Sequence, residues 1–207
     1  MNYIEFRNTM NVFPAFSVRE VEKHFPGFDS RRLVEWQEKG YIKKLRNRYY
    51  HFSDQEITEP FLYFTANEIY SPSYVSLESA LSRYNFIPEG VFQITSCTTR
   101  KTNSFNTAAG SFFYRHLKPS LFFGYRLEKW GQHRFAIAEP EKAVIDYLYL
   151  HHEIEATEDI EALRWNSPEI KNQISMEKLN TYEAYINSPA LSRRLKSLKS
   201  FLDAVTA

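Results

Sequence analysis

Residues 16–52, FSVREVEKHFPGFDSRRLVEWQEKGYIKKLRNRYYHF, decide how this chain begins to fold. Ser17 and Glu20 stand at the spacing of a capping box. The hydroxyl can satisfy a free amide of the first turn while the carboxylate reaches back to the cap. Val18, Val21 and Phe25 follow at helical intervals, and Pro26-Gly27 stops that helix. Asp29 or Ser30 can cap a second helix, which carries Leu33 and Trp36 and ends at Gly40, a residue suited to the left-handed position after a helix. Tyr41 to Phe52 predicts two short strands around Leu45-Arg46-Asn47-Arg48. Asn47, which tolerates a positive φ, is the expected turn residue. Helix, turn, helix and basic hairpin together outline a winged helix-turn-helix.

Charge is concentrated in this segment. Between Asp29 and Phe52 stand Arg31, Arg32, Lys39, Lys43, Lys44, Arg46 and Arg48, against Asp29, Glu35 and Glu38. The local excess is four positive charges in a chain of net charge +1. A cationic patch on a nearly neutral protein is what a phosphate-facing surface needs. At about 100° per residue, Leu33, Trp36 and Gln37 share one helix face and Arg31 points away from it. Such a helix can bury its apolar side and offer Arg31 to a major groove. The expected DNA contacts are Ser30, Arg31 and Arg32 on the helix and Lys43, Lys44, Arg46, Asn47 and Arg48 on the wing. The alternative is a module with a solvated basic face that contacts protein rather than DNA.

Outward from this segment, residues 1–10 predict a helix with Tyr3, Ile4 and Phe6 on its buried side. Residues 1–55 make one domain, and the polar stretch Ser53 to Pro60 is its boundary. Beyond it, Phe61 to Ile69 and Tyr74 to Tyr84 read as helices, with a turn at Pro88-Glu-Gly90. The period changes near Val91. Val91 to Thr99, Ser111 to His116, Leu121 to Glu128 and Arg134 to Ala138 read as strands, with a polar segment from Arg100 to Thr107 and a hairpin connection at Lys129-Trp-Gly-Gln132. Glu139-Pro140 opens a helix running to about Leu150. The part from about 151 to 207 reads as helical. It has a short helix from Asp159 to Trp165 ended by Asn166-Ser-Pro168, a helix from Ser175 to Ile186, and a last one with Leu191, Leu195, Leu198 and Leu202 on one stripe. Arg193, Arg194, Lys196 and Lys199 form the expected wet face of that helix. The fold class is α+β: a winged helix-turn-helix, then an α/β domain over 60–207 with a mixed or antiparallel sheet and C-terminal helices.

Several features narrow the function. Aromatic residues reach 16% with only 6 Gly, which favours packed cores over long linkers. Cys97 is the only cysteine, which excludes an intramolecular disulfide and fits a reducing compartment. There is no signal-peptide pattern at the N-terminus, and Ala143 to Leu150 is too short to span a bilayer, so the expected location is cytoplasmic with no membrane partner. Glu139, Glu141, Lys142 and Asp146 raise the alternative of a metal-dependent nuclease. Acids at a helix start are also expected for dipole reasons, and no second acidic strand is evident. His151-His152 suits a helix C-terminus, and Cys97 suits a buried strand position. No metal site and no cofactor are expected, and the chain is read as not an enzyme. Arg100, Lys101, Arg115, His116 and Lys118, interleaved with Phe105, Phe112, Phe113 and Tyr114, make a possible secondary nucleic-acid or antitoxin surface.

The middle of the chain adds a resemblance. Ser71-Pro-Ser-Tyr-Val-Ser-Leu-Glu-Ser-Ala-Leu-Ser-Arg-Tyr84, Ile94-Thr-Ser-Cys-Thr-Thr-Arg100, Phe122-Phe-Gly124 and Ala138-Glu-Pro-Glu-Lys-Ala-Val-Ile-Asp-Tyr-Leu148 occur in that order. In this combination the chain resembles the AbiEi-type antitoxins of abortive-infection, type IV toxin–antitoxin systems. The resemblance covers nearly the whole chain and is weakest after His151. It implies an autorepressor and antitoxin of a phage-defence operon, whose winged helix binds double-stranded promoter repeats. It also implies a nucleotidyltransferase-like toxin as functional counterpart, with no direct complex required. The wing tip often carries Gly in that family; here Asn47 stands there.

Overall fold

The computed structural model describes residues 2–88 and 90–204; Met1, and Glu89 of the turn expected at Pro88–Gly90, lie outside the described residues. The chain begins with α1 (Tyr3–Met10), β1 (Phe16–Ser17), α2 (Val18–His24), α3 (Arg31–Glu38), β2 (Ile42–Arg46) and β3 (Tyr49–Phe52). The three strands form an antiparallel sheet in the order β1-β3-β2. The local signals act as the sequence predicts. Ser17 N donates to Glu20 Oε2 at 2.7 Å and Glu20 N donates to Ser17 Oγ at 3.2 Å. Asp29, not Ser30, caps α3, accepting from Arg31 N at 3.0 Å. Gly40 takes φ +71 after the helix. The core is aromatic. Phe6 sits 4.5 Å from the Trp36 ring centre and 5.6 Å from that of Phe16. Met10, Val21, Leu33, Ile42 and Phe52 close around them. Ile4, expected on the buried side of α1, is 68% exposed, and Met10 takes that role. At the hairpin turn the positive φ falls on Arg48 (+68), not on Asn47.

The remainder runs α4 (Glu59–Ile69), β4 (Ser73–Val75), α5 (Leu77–Arg83), β5 (Gln93–Thr98), β6 (Asn103–Asn106), β7 (Ser111–His116), a 3-10 turn (Pro119–Leu121), β8 (Tyr125–Trp130) and β9 (His133–Ala138). The helices α6 (Pro140–Leu150), α7 (Thr157–Ala162), α8 (Ser167–Gln173), α9 (Met176–Ile186) and α10 (Pro189–Ala204) follow. The six strands make one mixed sheet in the order β6-β7-β5-β4-β9-β8, parallel at β5–β7 and β4–β9. The fold is α+β. No described helix is long and apolar enough to cross a membrane.

Four sequence expectations change here. The helix expected from Tyr74 starts at Leu77, because Tyr74 and Val75 are buried in β4 at the sheet centre, between β5 and β9. A strand covered on both faces has no alternation to betray it. The polar segment 100–107 contains the edge strand β6. The strand expected from Leu121 begins only at Tyr125, after the 3-10 turn. Pro168 opens α8 rather than ending a helix, since its fixed φ suits a first turn.

The expected boundary at 53–60 separates two sheets and two core clusters, but Ala15 and Leu45 of the first unit are buried in the core of the second. The register of β2 against β3 shifts between Lys44 and Arg46, a bulge that turns Leu45 into the larger core, where Ala15 joins it. His51 on β3 is 1% exposed, with its ring centre 5.6 Å from that of Phe61 on α4. Burial holds its pKa below the ordinary 6.5; the Phe52 backbone offsets this in part, and Lys43 adds to the lowering. Folding therefore favours the neutral ring. Stability should be lost as pH falls below about 6.5, where the unfolded chain takes up a proton that the folded chain resists. Thermal unfolding midpoints of wild type and His51→Phe across this range should diverge on the acid side, with wild type falling faster. Parallel curves would mean that the ring is solvated.

Candidate nucleic-acid interface

The cations expected to meet DNA divide into three sets. Arg31, at the start of α3, has a side chain 90% exposed and pairs with Asp29 at 2.8 Å. That pairing, chiefly a hydrogen bond, holds the Asp29 carboxyl below the usual range. Ser30 is exposed and Arg32 half-buried beside it. Lys43 and Lys44 are exposed on β2. Asn47 and Arg48 at the turn, with Arg46 and Tyr49, line a groove of about 540 Å³ whose other wall is Ser17, Arg19 and Glu22. Val18 N donates to Arg48 O at 2.9 Å, which ties the turn to α2. Arg48 stands 3.6 Å from Glu22. Arg31 does not line this groove. Arg19 does, and was not among the expected contacts; its place beside buried Val18 on a capped helix already put it on the outer face.

Arg46 is corrected. Its Nη1 donates to the carbonyl of Ile69 at the end of α4. Its guanidinium lies 4.9 Å from the Phe105 ring centre, 5.5 Å from Tyr49 and 5.9 Å from Tyr70. The bulge aims it inward, and the aromatic faces hold the cation. It anchors the hairpin to the second sheet rather than standing free for a phosphate.

The secondary basic group is only partly gathered. Arg100 lies 5.3 Å over the Tyr70 ring, whose hydroxyl donates to Lys101 O at 3.0 Å. Lys101 and Lys118 are exposed. Arg115 turns elsewhere, donating to Leu150 O at 3.3 Å and lining an apolar cleft with Tyr147 and Trp165. Phe112 and Tyr114 are buried, so they offer no face for base stacking.

The acidic cluster of α6 is turned inward. Lys142 and Asp146 are a buried ion pair. Lys142 Nζ also donates to the Tyr74 hydroxyl at 2.9 Å, and Tyr74 and Ser76 both donate to Asp146 Oδ2 at 2.8 Å. Burial, reinforced by Asp146, pushes the Tyr74 phenol well above its ordinary value. Gly124 lets the chain close over this group: at its φ of +70, a Cβ would meet Lys142 Cγ at 3.0 Å and Tyr182 Cε2 at 3.1 Å. Glu139 binds Tyr182 at 2.5 Å and Lys178 at 2.9 Å, and against the opposing effect of burial these bonds keep its carboxyl below the usual range. Glu141 Oε1 accepts from Ser175 N at 2.8 Å. Among the described residues no three His, Cys, Asp or Glu are grouped to hold a metal ion.

Cys97 is fully buried on β5, and burial pushes its thiol well above the usual range. The thiolate is the reactive form. A thiol reagent should therefore label Cys97 only when the protein is denatured, and rapid labelling of the folded chain would refute the packing around β5.

No protein-family model matches this chain, and no curated protein matches it.

Proposed function

We propose that this chain is a DNA-binding transcriptional regulator that represses its own promoter and serves as the antitoxin of a phage-defence toxin–antitoxin operon. The observation that carries the DNA reading is the layout of the N-terminal unit. Three helices and a three-stranded sheet share an aromatic core and leave Arg31, Lys43, Lys44 and Arg48 on the outside. We read this unit as a winged helix, with α3 as the recognition helix and β2–β3 as the wing. Arg19 extends the phosphate-facing surface to α2. The antitoxin reading rests on the ordered motifs of residues 71–148 and on their resemblance to AbiEi-type proteins. It gives residues 60–207 the task of countering a nucleotidyltransferase-like toxin without a stable complex.

The test is a binding titration against the DNA upstream of the gene at several salt concentrations. Lys44→Ala should weaken binding to all sequences alike and flatten the salt dependence by roughly one unit of slope. Arg31→Ala should cost roughly 1–3 kcal/mol on the specific site and little elsewhere if it reads a guanine. Arg46→Ala should leave the slope alone, because its charge is spent within the protein. No preference for the upstream DNA, or unchanged binding in both Arg31 and Lys44 variants, would remove the DNA reading. Co-expression with the product of the neighbouring gene tests the antitoxin reading separately.

A further inference from the structure

Strand β8 ends the six-stranded sheet: one edge pairs with β9, and the other meets no strand. Among the described residues, no backbone hydrogen bond leaves Tyr125 to Trp130 on that outer side. Edge strands are ordinarily blunted by shortness, by bulges, by a covering element or by charged side chains, and of these β8 carries only the charges, Arg126, Glu128 and Lys129. β8 has six residues, pairs with β9 without a register shift, and exposes Tyr125 (39%) and Leu127 (61%). It is a usable template for another strand.

The sequence of the edge specifies which strand. Tyr125-Arg-Leu-Glu-Lys-Trp130 is complementary to itself about Leu127. In an antiparallel pair of two β8 strands with Leu127 opposite Leu127, Arg126 of each copy faces Glu128 of the other. Tyr125 faces Lys129, and the two-fold axis repeats each pair. Directly opposed unlike charges stabilise such a pair and like charges destabilise it. Slipping the register by two residues, which keeps the same faces together, sets Arg126 against Arg126 or Glu128 against Glu128. Of these three registers, only the centred one is free of like-charge pairs. The side chains stand ready for it. Arg126 is half-exposed, its Nη2 3.5 Å from Glu128 Oε2, while Glu128 Oε1 is held by Arg83 at 2.5 Å. Glu128 is thus fixed by its own chain with one oxygen turned toward Arg126.

We infer that β8 is a homodimer seam, at which a second copy of this chain adds its own β8 antiparallel and doubles the sheet, with Leu127 on the axis. Main-chain hydrogen bonds supply the affinity of such a join, and the Arg126–Glu128 pairs set its register. The inference does not rest on the DNA reading.

Sedimentation equilibrium of the full chain tests it, with wild type, Arg126→Glu, Glu128→Arg and an equimolar mixture of the two variants. Wild type should dimerise with rising concentration. Each variant alone meets like charges at both pairs, and its dimer dissociation constant should rise about tenfold or more. In the mixture every opposed position again carries unlike charges, so a heterodimer should form nearly as well as the wild-type dimer. Leu127→Arg, with two cations on the axis, should dissociate the dimer while its unfolding midpoint stays near that of wild type. A wild-type chain that remains monomeric at its highest soluble concentration would overturn the inference. So would a mixture no better than its components, or an undiminished dimer in Leu127→Arg.

Discussion

Lys142→Met should cost about 3–5 kcal/mol of stability, because it strands the Asp146 carboxylate without its cation in the protein interior. The thioether roughly replaces the aliphatic stem, so the loss is electrostatic and not a cavity. Asp146 keeps its bonds from Tyr74 and Ser76, but two hydroxyls do not offset a buried charge. Adding Asp146→Asn should recover a good part of the loss, since the amide oxygen still accepts from both hydroxyls and carries no charge. Urea unfolding followed by circular dichroism measures both. A single variant losing less than about 1 kcal/mol would mean that water reaches the pair. The cluster joins β4, α6 and the turn at Gly124, so its loss should loosen the middle of the larger unit and not merely one helix.

Arg194→Ala should cost about 2–4 kcal/mol, again from inside the protein. Its side chain is buried and donates to three carbonyls: Ile154 at 2.8 Å, Leu148 at 3.2 Å and His152 at 3.3 Å. Leu148 belongs to the last turn of α6, whose carbonyls have no partner within the helix. The guanidinium thus caps that end and meets the negative pole of its dipole. Arg194→Lys should restore little, because an ammonium lacks the fork that spans three acceptors. Hydrogen exchange should speed up around residues 148–154 in Arg194→Ala before it does elsewhere. Uniform exchange with unchanged stability would show that the loop holds itself.

These two sites mark where sequence reading stops. The ends of α2 and α3 and the hairpin were legible because each is set by neighbours in the chain: Ser17 with Glu20, Asp29 with Arg31, and Gly40 after Trp36. The Leu191–Leu202 stripe was legible for the same reason. Arg194 sits on that helix among charges, and a helical wheel sends it to water; its partners lie some forty residues away. Arg46 misled in the same manner, since a basic hairpin tip gives no sign of a distant carbonyl and three aromatic rings. The Lys142–Asp146 pair was not legible as a cluster, because its partner Tyr74 stands in a strand that the sequence predicts as helix and Ser76 follows directly after it. A three-residue strand buried on both faces has no period to detect.

The one-residue bulge at Leu45 has an evolutionary consequence. It fixes the aim of the hairpin through two inward residues, Leu45 and Arg46, and leaves Lys43, Lys44, Asn47 and Arg48 facing outward with no part in the core. Substitutions at Lys43, Lys44 and Asn47 can therefore accumulate with little penalty in folding, while Arg48, at φ +68, admits only residues that tolerate a left-handed backbone, and whatever the hairpin recognises can drift. A deletion at Leu45 cannot: it removes the extra residue that makes the bulge, and with it the apolar anchor in the larger core and the inward aim of Arg46. Length is the inherited constraint on this hairpin, and sequence is its adjustable part.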